Sequence, residues 1–109
     1  MAGKTNQQTS QKSQKVKYYI GGRQYIPDDS ILLCVYETGR NPGMFDMITQ
    51  TQKLYRTLKG SFFLVSEDAG KVIKVELLDP DKALSFMDAH ATGIITGNYD
   101  MALGVPEMG

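Results

Sequence analysis

Between residues 53 and 77 the chain alternates short apolar runs with glycine-bearing turns, and no other stretch limits its fold so tightly. Lys53-Leu54-Tyr55-Arg56-Thr57 reads as a strand, Leu58-Lys59-Gly60 as a tight turn, and Ser61-Phe62-Phe63-Leu64-Val65-Ser66 as its partner. Glu67-Asp68-Ala69-Gly70 is a second turn and residues 71–77 a third strand. The gaps are hairpin length, so the strands must pair antiparallel with their neighbours. In the third, Ile73, Val75 and Leu77 fall on one side and Val72, Lys74 and Glu76 on the other. That period of two predicts a half-buried strand with its apolar set inward. A β-meander is the expected centre of the fold.

The same reasoning extends upstream. Val16-Lys17-Tyr18-Tyr19-Ile20 is β-branched and aromatic, and Gly21-Gly22 supplies the positive φ angles of a two-residue turn. Arg23-Gln24-Tyr25-Ile26 returns as partner until Pro27, which has no amide to donate. Residues 28–30 read as a loop. Residues 31–36 are continuously apolar, the pattern of a central strand covered on both faces. Residues 38–43 carry turn chemistry, and residues 44–52 read as extended, with a short helix the open alternative at their start.

After residue 78 the period changes. Asp79 suits an N-cap, Pro80 the first helical position, and Asp81 the positive end of the helix dipole. Ala83, Leu84, Met87 and Ala91 recur at helical spacing with Phe86 at their margin, and Gly93 stands where a left-handed C-cap belongs. A second short helix follows, capped by Thr96 or Asn98 and ended by Gly104. Strands first and helices last predict an α+β fold. It is a mostly antiparallel meander with one or two C-terminal helices packed on one face.

Charge is balanced at 12 basic against 12 acidic residues, yet unevenly placed. Lys4, Lys12, Lys15, Lys17 and Arg23 precede every acid, while from Glu76 onward Lys82 alone faces six acids. Residues 1–15 hold no aromatic or β-branched aliphatic side chain to offset ordering entropy, so they read as a disordered basic and polar arm. Residues 16–109 form the single expected domain. With 109 residues there is room for one core. One Cys excludes an internal disulfide, and no apolar run reaches the ~18 residues of a membrane span. The N-terminus lacks the apolar core of a signal peptide, so the expected compartment is cytoplasmic, with no membrane partner.

No gathering of chemistry stands out. The glycines punctuate turns and make no phosphate-binding fingerprint. His90, near the expected helix end, suits the C-terminal dipole. Cys34 lies in the most apolar run and reads as a buried hydrophobe, and a Cys34–His90 pair is the enzymatic alternative. Asp28-Asp29 and Asp79/Asp81 fit turns and caps, not a calcium loop. The expectation is therefore no catalytic residue, no cofactor and no metal.

Leu54-Tyr55-Arg56-Thr57, Gly60 and Phe62-Phe63-Leu64, the helix start Pro80-Asp81-Lys82-Ala83-Leu84-Ser85-Phe86 and the closing Tyr99-Asp100-Met101-Ala102-Leu103-Gly104 form a recognisable series. It resembles the core of short bacterial proteins carried on phages and other mobile elements of Gram-positive bacteria. The resemblance spans residues 53–107, departs at Leu103 where an aromatic is expected, and brings no catalytic residue with it. It implies a mobile-element accessory protein.

Two functional expectations follow. The first is a non-enzymatic module, able to form a homodimer, that binds or inhibits a host defence protein. Its interface is an acidic, Tyr-bearing surface of Glu76, Asp79, Asp81, Asp88, Tyr99 and Asp100. The alternative is nucleic-acid binding through Lys12, Lys15, Lys17, Tyr18, Tyr19 and Arg23, since aromatics beside basic groups stack bases.

Overall fold

The computed structural model describes residues 15–38 and 50–104. Strands β1 (Tyr18–Ile20) and β2 (Arg23–Tyr25) form a hairpin with Tyr18 opposite Tyr25. Gly21 and Gly22 close it at φ 59° and 79°, the left-handed pair of a type I′ turn. The strand is shorter than its composition predicts, and Val16 is exposed outside it. After Tyr25 the expected loop is a 3-10 turn, Pro27–Asp29, held by the Ser30 hydroxyl donating to the Ile26 carbonyl at 2.8 Å.

Strands β3 (Ile31–Thr38), β4 (Gln50–Arg56), β5 (Phe62–Asp68) and β6 (Lys71–Leu78) form one antiparallel sheet in chain order. Residues 50–52 are extended as expected, and the readings for residues 39–49 fall outside the described residues. The Thr57 amide donates to the Ser61 carbonyl at 2.8 Å across the first turn, and Ala69 and Gly70 make the second with φ 51° and 83°. Helix α1 (Pro80–Ala89) starts on Asp79, whose carboxylate accepts the Lys82 amide at 2.8 Å. A 3-10 turn, Ala91–Gly93, leads to helix α2 (Thr96–Leu103), which ends at Gly104 with φ 86°. The architecture is α+β.

Two apolar layers lie on the two faces of the sheet. On one, Leu33, Cys34, Leu54, Phe62 and Leu64 pack under Ala83 and Met87 of α1 and partly buried Tyr99 and Ala102 of α2. On the other, the β1–β2 hairpin lays Tyr18, Ile20 and Tyr25 over Phe63, Val65, Tyr55 and Val75. Phe63 has Tyr55 stacked on it at 5.0 Å and Tyr25 tilted against it at 5.6 Å.

Two expectations about the strands are corrected, and two about the helix caps. The apolar run of β3 is not a central strand but one end of the sheet. A register shift between Leu32 and Cys34 lets Leu33 and Cys34 both turn inward. The outer backbone of β3 is then taken up by the segment after α1, where the Ile95 amide donates to the Leu33 carbonyl at 2.9 Å and Ile94 bridges Cys34. The alternation of β6 does not bury Ile73, Val75 and Leu77 together. Val75 meets the hairpin, but Ile73 is 62% exposed and Leu77 44%, because β6 is the opposite edge and a register shift at Ser66/Glu67 breaks its period.

Helix α1 stops at Ala89, two residues before Ala91, and buries Ala83 and Met87 while Leu84 stays 47% exposed. Gly93 is therefore not its C-cap, a position taken by His90. A Cβ on Gly93 would lie 1.9 Å from the Val35 carbonyl oxygen, so its requirement is for close backbone approach. Neither Thr96 nor Asn98 caps α2. Ile95 holds that position, and Asn98 donates its side-chain amide to the Leu32 carbonyl at 2.9 Å.

Candidate functional site

Helix α1 carries Asp81, Leu84 and Asp88 at steps of three and four, which puts them on one face. Ala83 and Met87 on the adjoining face are fixed in the core, so the Asp81–Asp88 face must look outward. The turn at Ala91–Gly93 brings α2 back beside it, packed on β3 and pinned there by Asn98. Between the helices lies a cavity of about 320 Å³. Leu84, Met87, Ala91 and Ile94 supply its apolar surface, and Asp88, Asp100, Thr96 and Tyr99 its polar rim. Over residues 79–104 the chain holds four aspartates and a single Lys or Arg, Lys82, so the rim potential is negative.

Four of the six expected interface residues thus come to one place: Asp88, Tyr99 and Asp100 line the groove, and Asp81 stands two turns N-terminal on the same face as Asp88. Asp79 is spent on its cap, and Glu76 sits on β6 in an ion pair with Lys74 at 3.6 Å. Leu84, Met87, Ala91, Ile94 and Thr96 are the lining residues that sequence reasoning did not assign to an interface. Leu84 and Ala91 fit the helical stripe, but Leu84 falls on the outward Asp81–Asp88 face and Ala91 lies beyond the end of α1.

The basic set is divided by the fold. Lys12 lies outside the described residues. Lys15 forms an ion pair with Asp29, and that hydrogen bond and charge raise its pKa. Tyr18 is turned onto the sheet, where burial first and Glu67 second push its phenol up. Lys17 and Arg23 are exposed, and Tyr19 is 66% exposed. Arg23 borders a cleft of about 500 Å³ together with Lys59 and Asp29.

Cys34 and His90 do approach each other, through the backbone. The Cys34 thiol donates to the His90 carbonyl at 3.4 Å, and burial raises its pKa. The imidazole stacks on Tyr36 at 3.7 Å with Phe86 tilted against it at 4.7 Å. A buried thiol of raised pKa is a poor nucleophile. Among the described residues, no three His, Cys, Asp or Glu side chains gather to hold a metal, and no helix is long and apolar enough to cross a membrane.

Comparison with family models, with curated proteins and with solved structures finds no match to this chain.

Proposed function

We propose that the protein is a small non-enzymatic binding module whose groove between α1 and α2 receives a basic, amphipathic segment of a partner protein. The observation that carries this reading is an apolar floor with Asp88 and Asp100 on its rim and one nearby lysine, Lys82. Apolar anchors supply affinity, and rim charges select the partner and speed its arrival. Taken with the resemblance of residues 53–107 to mobile-element proteins, the partner is a host protein with a basic, nucleic-acid-binding surface. Occupying that surface would inhibit it, as for a defence nuclease.

The test compares the intact protein with the double charge reversal Asp88→Lys, Asp100→Lys. Host lysate is passed over each, and the captured protein is then purified and titrated directly. The reading expects a basic partner whose affinity falls about a hundredfold in the variant, by electrostatic repulsion and loss of complementarity. Equal capture by both proteins, or capture of no basic partner, rejects it.

Exposed Lys17, Tyr19 and Arg23 in and beside the hairpin favour a second reading, weak single-stranded nucleic-acid binding. It requires a shift that weakens with log salt and diminishes in Arg23→Ala.

A further inference from the structure

The outer edge of β6 is paired with no strand among the described residues, and it carries exposed Val72, Ile73 and Leu77. Such an edge is a template for another strand. Its sequence is complementary to itself about one residue. Turned end for end around Val75, the strand places Lys74 opposite Glu76 and Ile73 opposite Leu77, and the register shift at Ile73 takes Val72 out of the pattern. We propose that a second copy of this chain pairs there, antiparallel and centred on Val75, joining two sheets into one of eight strands.

The register is dictated by charge. Centring one residue earlier sets Lys74 against Lys74, and one residue later sets Glu76 against Glu76. Like charges directly opposite destabilise a strand pair, and opposite charges stabilise it. A two-fold axis normal to the sheet keeps both helix layers on one side, so every opposed pair shares a face. Lys74 and Glu76 already share one, opposite Ser66 and Leu64 of β5. Their 3.6 Å contact within the strand becomes a four-charge cluster across the axis. The central pairs fall in the regular part of β6, clear of the register shift at Ile73. The surface is separate from the acidic groove, so the two proposals fail independently.

Sedimentation over a range of concentrations tests the pairing. The intact chain is expected to dimerise, and more weakly as salt screens the four charges. Lys74→Glu or Glu76→Lys alone creates two like-charge pairs per interface and should raise the dissociation constant about tenfold or more. The exchange Lys74→Glu with Glu76→Lys regenerates both pairs and should restore the dimer. Asp88→Lys, Asp100→Lys should leave it unchanged. A monomer at all concentrations, or single reversals that leave the dimer intact, overturns the proposal. So does a folded double exchange, its melting unchanged, that stays monomeric.

Discussion

At one edge of the sheet, β3 hands its outward backbone to the chain that follows α1; at the other, β6 has no strand beside it among the described residues. The covered edge is built from Leu33 and Cys34, both fully buried, with Gly93 laid against Val35 and Asn98 tied to Leu32. The open edge alternates charge with exposed aliphatic residues. Edge strands need protection from unwanted pairing, and here the segment after α1 supplies it at β3. Apolar content alone does not distinguish the two strands. What differs is where the following segment goes, and the direction of α1 decides that.

The largest expected effect breaks this comparison if it fails. Leu33→Ala should cost about 3–4 kcal/mol of stability, because the side chain is fully enclosed and its loss leaves a cavity. Leu77→Ala, the same chemistry on the open edge, should cost less than about 1 kcal/mol. Denaturant unfolding of the two variants at concentrations dilute enough for the monomer measures the ratio, and equal losses would mean that β6 is covered within the chain after all. Next come two glycines four residues apart. Gly93→Ala drives a methyl group into the Val35 carbonyl and should cost about 2–3 kcal/mol, as overpacking does. Gly97→Ala meets nothing within 4 Å on α2 and should stabilise by about 0.5–1 kcal/mol.

The sequence made the turns legible because Gly-Gly and Ala-Gly at hairpin spacing leave the backbone little choice. Asp79-Pro80 announced α1 for the same local reason. The edges were not legible. The continuous apolar run of β3 records that its backbone is covered, but a loop returning from a helix covers it as well as a strand would. The register shift at Leu33 was signalled only by two adjacent apolar positions, which a two-sided strand shows too. At the site, the aspartates were readable as an acidic surface. Their gathering depends on α1 ending at Ala89 and on the reversal that follows, a tertiary event with no local code. Tyr18 and Tyr19 are neighbours in sequence, and the pleat sends one to the core and one to solvent.

A smaller effect tests how the covered edge is held. Asn98→Ala removes the donor to the Leu32 carbonyl and should cost about 1–2 kcal/mol, the penalty for a part-buried acceptor left unpaired. Hydrogen exchange sharpens the point. The Ile95 amide, bonded to Leu33, should lose protection in this variant while amides of β5 keep theirs. Uniform loss across the sheet would show that the cover and the sheet open together, not in sequence.

The smallest effect is electrostatic and separates the covered edge from the hairpin face. Burial raises the Cys34 thiol above its ordinary 9.0, and burial followed by Glu67 raises the Tyr18 and Tyr55 phenols above 10.0. Above each ordinary value the unfolded chain releases a proton that the folded chain retains. The folded state then binds more protons, so stability falls as pH rises. Well below pH 9 these three groups are neutral in both states and contribute no slope. The decline should therefore begin near pH 9 from Cys34 and steepen near pH 10 as the tyrosines join. Cys34→Ala should remove the first part alone, and Tyr55→Phe should weaken the second without touching the first. A Cys34→Ala variant with the intact protein's slope between pH 9 and 10 would mean that water reaches the thiol. The segment from Ala91 to Ile95 would then cover β3 far less tightly than Gly93 and its contact with Val35 require.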